Sequence, residues 1–177
     1  MSLIRYNVAT TLDGFIASLD GSTSWIMEDA TIDFDALYAQ FSLFIMGRKT
    51  YEVMLKYGNP LAKYTKESVV VFSTTMKADE HPGVTIVSCD VVGYVRERKK
   101  SAEKDIWVMG GGSLVGLLME QRLVDVVEAA VMPVVIGEGI KMVGGLGSMK
   151  RLKLESVEKL ESGILMTKYL VLNGNGV

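Results

Sequence analysis

The 177 residues include one cysteine, one histidine and three prolines. With Cys89 alone, no disulfide can form within a chain. With His81 as the lone imidazole, a zinc site of three or four His and Cys ligands is argued against, and no metal is expected. His81 lies in EHPG, a turn sequence that suits a solvated loop histidine better than a catalytic base. Excess charge of either sign is missing too: 19 basic and 21 acidic residues leave a net charge of -2, so no global basic field points to nucleic acid. No apolar run approaches the roughly 20 residues that span a bilayer. No long apolar segment follows Arg5 near the N-terminus, so no secretory leader is expected. These absences point to a soluble cytoplasmic protein. Its length suits one domain over 1–177, and its 49% apolar content suffices for a substantial core.

What is present is an alternation of strand and helix patterns. LIRYNVAT (3–10), LFIMG (43–47), SVVVFSTT (68–75), GVTIVS (83–88), IWVMG (106–110) and LVDVVEAAVMPVV (123–135) read as strands. DFDALYAQF (33–41), RKTYEVMLKYG (48–58), VVGYVRERKK (91–100) and SLVGLLMEQR (113–122) read as helices. A glycine-rich loop over 137–147 precedes a hairpin over 152–172 that turns at Ser162–Gly163. This order predicts an α/β sandwich with a largely parallel sheet and an antiparallel edge. Ligands of such sheets bind beyond the C-terminal strand ends.

Three of those ends share a chemistry. Gly47-Arg48-Lys49-Thr50 and Gly110-Gly111-Gly112-Ser113 each join a strand to a helix, and Ser73-Thr74-Thr75 closes another strand. Helix starts present unpaired N–H groups and partial positive charge, and glycine lets a backbone approach a ligand closely. Two such starts make an anion site, to which Arg48 adds a planar fork suited to phosphate. The hydroxyls and Lys49 would suit a ribose 2′-phosphate. No acid lies at Phe72–Met76, where a ribose-binding carboxylate would favour NADH. The spacing is not GxGxxG, and each piece alone also reads as ordinary structure: a tight turn, a polar helix start, a strand end.

Together, VATTLDGFIA (8–17), IMGRKTYE (45–52), VVFSTT (70–75) and IWVMGGGSLVGLLMEQRLVDVVEAAVMPVVIGEG (106–139) resemble the dihydrofolate reductase superfamily. The nearer likeness is to the reductase domain of the riboflavin-biosynthesis deaminase-reductases. The resemblance implies a three-layer sandwich: a mainly parallel twisted sheet, helices on both faces and a C-terminal antiparallel hairpin. It also implies NADPH across the strand ends. By this resemblance the backbones of Ala9 and Ile16 would bond the nicotinamide carboxamide. Gly47, Arg48, Lys49 and Thr50 would contact phosphates, and Ser73 and Thr74 would hold the adenosine ribose and its 2′-phosphate. Gly111, Gly112, Ser113 and Leu114 would lie against the pyrophosphate. Met54, Met109, Met119 and Met142 read as core filler; methionine is also adaptable at ligand surfaces, and Met109 is counted with the cofactor contacts.

Dihydrofolate reductases carry a helix carboxylate, a pterin-orienting threonine and a proline–tryptophan pair. Here Asp29, Asp33 and Asp35 lie out of register, Ala129 and Ala130 occupy the threonine's place, and only Trp25 is near the pair's position. This points away from folate, towards another small carbonyl or imine of pterin or ribosylaminopyrimidine type. The deaminase half, with its zinc-binding His and Cys residues, is not in this sequence. Hydride transfer needs positioning and a proton source. Asp13 in LDG is the first candidate, with Asp33 and Asp35 next and Glu138 behind them. Each has an ordinary alternative, as a turn residue or a helix cap. Tyr51 reads as core on the helical face of Leu55, and RERKK (96–100) as a solvated helix end. The expected protein is an NADPH-dependent reductase of a small molecule, pairing as a homodimer through its strand-rich end. The alternative is a non-catalytic NADPH- or nucleotide-binding module, also a homodimer.

Overall fold

A computed structural model describes residues 2–173. Its strands are β1 (Ile4–Thr11), β2 (Phe15–Ala17), β3 (Phe41–Gly47), β4 (Val69–Phe72), β5 (Thr85–Val87), β6 (Asp105–Gly110), β7 (Val126–Met132), β8 (Ile140–Lys141), β9 (Leu152–Lys159) and β10 (Leu165–Val171). Its helices are α1 (Phe34–Tyr38), α2 (Arg48–Lys56), α3 (Val91–Ser101) and α4 (Gly112–Glu120). Eight strands form one sheet in the order β5-β4-β3-β6-β1-β7-β10-β9, and β2 pairs with β8 apart from it. The pairs from β5 to β7 are parallel; β10 runs antiparallel to both β7 and β9. The fold is the three-layer arrangement expected, with its C-terminal hairpin.

Strand periodicity divides the core in two. Ile4, Tyr6, Leu43, Ile45, Val70, Ile106 and Val108 point to one face, where Val95 of α3 and Leu114, Val115 and Leu118 of α4 cover them. Phe44, Met46, Val69, Val71 and Trp107 point to the other, where Tyr51 and Met54 of α2 pack and α1 contributes Leu37 and Tyr38. Tyr38 stacks on Trp107 with ring centres 5.0 Å apart, a favourable aromatic spacing.

Several local expectations need correction. The helix expected over 33–41 stops at Tyr38, because Phe41 starts β3 and packs against Trp107 at 5.0 Å. Strand β4 ends at Phe72, and the hydroxyl residues after it form a turn. Tyr51 is core, but its helical companion is Met54; Leu55 is exposed. The basic end of α3 is not wholly solvated: Lys99 reaches the Leu123 carbonyl and pairs with Asp125. The glycine-rich loop contains β8, which holds the segment after β1 in place.

Candidate active site

Because β3 and β6 are neighbours, with Met46 opposite Gly110, the turns that follow them emerge side by side. A Cβ placed on Gly47 would stand 3.8 Å from the Gly111 nitrogen and 4.0 Å from the Gly110 oxygen. The Thr50 hydroxyl stands over the same turn, 3.5 Å from the Cβ positions of both Gly110 and Gly111. Gly47 caps α2 and Gly111 caps α4 without any side-chain hydrogen bond to the helix. The two helix starts therefore converge with unshielded N–H groups, and such a pair favours an anion.

The three glycines do different things. Gly110 has φ +122°, a conformation that L side chains rarely adopt. Gly111 is the open cap facing Gly47. A side chain at Gly112 would collide with the Lys141 carbonyl, and Gly144 N–H donates to the Gly112 carbonyl. Gly112, like Gly116 against the Gly144 carbonyl, thus also lets α4 pack on the loop after β8. Leu114 puts its side chain into the core, and its N–H already donates to the Gly111 carbonyl.

The remaining cofactor candidates lie along the same edge. Arg48 donates to Glu52 one turn along α2 at 2.6 Å. Lys49 is exposed beside it. On the outer side, the Ser73 hydroxyl accepts from the N–H groups of Thr75 and Met76 and so shapes the turn after β4; Thr74 is exposed on it. Met109 is half-buried and packs on the α2 side of the sheet.

On the inner side, β1 and β6 separate. Their pairing runs only from Ile4 to Tyr6, whereas β1 stays paired with β7 through Thr11. The Asn7 carbonyl faces the gap and accepts from Trp107 Nε1 at 2.9 Å. By strand alternation the backbone groups of Ala9 face the same gap. Ile16 lies in the short β2 segment beyond the turn. The ends of β4, β3, β6 and β1 thus form a row carrying Ser73, Gly47, Gly111 and Ala9.

The three aspartate candidates are each engaged. Asp13 is exposed and accepts from Gly137 N–H at 2.8 Å and Ile136 N–H at 3.2 Å. The Thr11 hydroxyl and these two N–H groups hold its carboxyl below the usual carboxylate range. Asp33 caps α1 by accepting from Ala36 N–H. Asp35 pairs with Lys63 at 2.8 Å, which lowers its pKa. Glu138 is exposed. Sequence reasoning missed Ser162, whose hydroxyl donates to Asp29 and ties the segment after β2 to the β9–β10 turn. The two are 133 positions apart in the chain, and no local pattern signals such a pair.

Fold and strand-end geometry together define a protein of the dihydrofolate-reductase-like class. Within it, the chain belongs to the RibD C-terminal domain family, whose model matches residues 2–166. Two relatives are uncharacterised proteins of Bacillus subtilis. YwjB is 28% identical over 160 residues, covering 89% of this chain and 91% of its own length. YyaP is 28% identical over 176 residues, covering 94% and 93%. Among solved structures, a Shewanella protein provisionally assigned to riboflavin biosynthesis superposes with a TM-score of 0.80 at 24% identity, covering 97% and 99% of the two chains. A deaminase/5-amino-6-(5-phosphoribosylamino)uracil reductase from Thermotoga maritima superposes at 0.70 and 19% identity; this chain spans 96% of itself and 56% of that protein. The family supports a reductase-like role.

Proposed function

We propose that this protein is an NADPH-dependent reductase that transfers hydride to a small carbonyl or imine of pterin or ribosylaminopyrimidine type. The observation that carries the reading is the convergence of two helix starts without side-chain caps at Gly47 and Gly111. A pyrophosphate fits there: N–H groups of Arg48, Lys49, Gly112 and Ser113 would donate to it, and no side chain of Gly47 or Gly111 intervenes. Arg48, Lys49, Ser73 and Thr74 lie on the side where a 2′-phosphate would extend. Ala9 would hold the carboxamide through its free backbone groups in the β1–β6 gap. The cofactor supplies the hydride; the chain's part is to fix the reacting carbons and exclude water.

Asp13 is held as an anion by Thr11, Ile136 and Gly137. In this state it positions the 136–137 loop; it can give a proton to substrate only after those bonds are broken and the carboxylate has taken up a proton from water. Asp13→Asn tests the assignment. Loss of NADPH oxidation with NADPH binding retained places Asp13 in catalysis. The general test is NADPH oxidation against a panel of small carbonyls and imines, dihydrofolate included; NADPH binding without turnover on any of them favours the binding-module reading. That second reading has support in the engagement of Asp13, Asp33 and Asp35 alike.

The assembly we assign is a homodimer formed through the hairpin. Strand β9 is exposed along its whole length. Leu152, Leu154, Val157 and Leu165 stay exposed on the sheet face that α3 and α4 cover elsewhere. An apolar face on an edge strand needs a cover.

A further inference from the structure

We infer that a cavity between α2 and the segments leading into β4 and β5 is a second small-molecule site, which takes an aromatic acid carrying a hydroxyl or N–H donor. The inference does not rest on the reductase reading. The cavity measures about 400 Å³, within the roughly 300–1,000 Å³ of small-ligand clefts. Val69, which opens β4, and Val84, which precedes β5, line it. It therefore lies towards the N-terminal ends of these strands, whereas Ser73, Gly47 and Gly111 lie at the C-terminal ends of theirs. The site is thus apart from the dinucleotide row.

Its apolar walls are preset. Val69 and Val84 are buried. The rings of Tyr51 and Tyr64 also line the cavity. His81 meets Tyr51 edge-on with ring centres 5.7 Å apart, and Tyr64 meets Phe44 edge-on at 4.7 Å. Neighbours therefore hold both rings. Rings held in this way offer surface to a flat aromatic ligand at little entropic cost.

Asn59 supplies an acceptor. Its φ is +38°, a left-handed conformation that Asn adopts more readily than most side chains. Its N–H donates to the Met54 carbonyl at 3.3 Å, and its carbonyl accepts from Ala62 N–H at 3.1 Å. The side-chain Oδ1 is closed to bulk solvent and has no hydrogen-bond partner among the described residues. A buried acceptor left unpaired is destabilising, and a donor entering by the cavity that Asn59 lines relieves it. A single water also satisfies such an atom, but the cavity has room for far more than one.

Lys66 supplies the charge. It is exposed, and among the described residues no ion pair involves it, whereas Lys63 on the same loop is held by Asp35. No carboxylate lines the cavity among the described residues. An uncompensated ammonium at a partly apolar cleft favours an anion. The ligand that answers all these groups is a ring with a donor for Asn59 and a carboxylate for Lys66.

Amide-shift NMR titrations of the full chain, with and without NADPH, test this with three matched compounds: para-hydroxybenzoate, para-methoxybenzoate without the donor, and para-hydroxyacetophenone without the charge. Para-hydroxybenzoate should bind about tenfold more tightly than either of the others, the size of one hydrogen bond to a charged or buried partner. Asn59→Gly keeps the left-handed backbone and should abolish the preference for hydroxyl over methoxy. Lys66→Met should abolish the preference for carboxylate over ketone. Neither should change the NADPH dissociation constant, and NADPH should not displace para-hydroxybenzoate. No binding of para-hydroxybenzoate, equal binding of all three compounds, preferences unaltered in both variants, or displacement by NADPH overturns the inference.

Discussion

Gly47 faces Gly111 across the gap between two helix starts, with 3.8 Å from the Cβ position of one to the nitrogen of the other. That spacing is ordinary van der Waals contact, so Gly47→Ala should fold with a stability change within about 0.5 kcal/mol. The added methyl would stand where phosphate oxygens approach, and NADPH binding should fall about tenfold or more. Gly112→Ala should behave oppositely in stability, because its methyl meets the Lys141 carbonyl. A loss of about 1–3 kcal/mol is expected from such overpacking. Urea unfolding and cofactor titration of both variants check the contrast.

Arg48 rests on Glu52 as an exposed pair within one helix turn. Such pairs are worth about 0.3–0.5 kcal/mol, so little opposes a swing of the guanidinium onto phosphate. Arg48→Ala should weaken NADPH binding by about 1.5–3 kcal/mol, the loss of a charged hydrogen bond, with a smaller loss for NADH. Calorimetry on the variant gives both numbers, and an unchanged NADPH constant would remove Arg48 from the site.

The tie between Asp29 and Ser162 should loosen in acid. Bonds from the Ser162 and Thr31 hydroxyls lower the Asp29 pKa from 3.8. A carboxyl whose pKa is depressed in the folded state adds stability that is present above its unfolded value and lost as pH falls through the folded one. The Asp29–Ser162 tie should therefore hold at neutral pH and release only below pH 3.8. Ser162→Ala should move the Asp29 midpoint up towards 3.8, read from its carboxyl carbon by NMR titration.

Much of this site was legible in the sequence, and the reason is local. A strand end, a glycine and a helix start are consecutive residues, so GRKT and GGGS mark their own geometry. Their placement along one edge also followed, since parallel strands end at the same side of a sheet; that β3 and β6 are neighbours there depends on the strand order. What was not legible depended on distant partners. The engagement of Asp13 needs the N–H groups at 136–137, and that of Asp35 needs Lys63. The packing job of Gly112 needs the loop at 141–144. Helix α1 was overextended because Phe41 fits helical spacing and strand alternation equally well, and only its aromatic neighbours decide.

The hairpin face should hold two copies together. Replacing Leu154 and Val157 together by Lys puts two charges on the exposed apolar strand, and burying either unpaired is costly. Light scattering should report a dimer for the parent chain and a monomer for the double variant with an unchanged far-ultraviolet spectrum. A parent chain that is monomeric at high concentration would contradict the assembly.

In the proposed function the paired helix starts and the hydroxyl-rich turn at Ser73–Thr74 hold a dinucleotide with a 2′-phosphate. Isothermal titration of the chain with NADPH and with NADH, in matched buffer at low salt, measures this directly. One site per chain is expected, with NADPH bound at least about tenfold more tightly. Equal or tighter binding of NADH would contradict it.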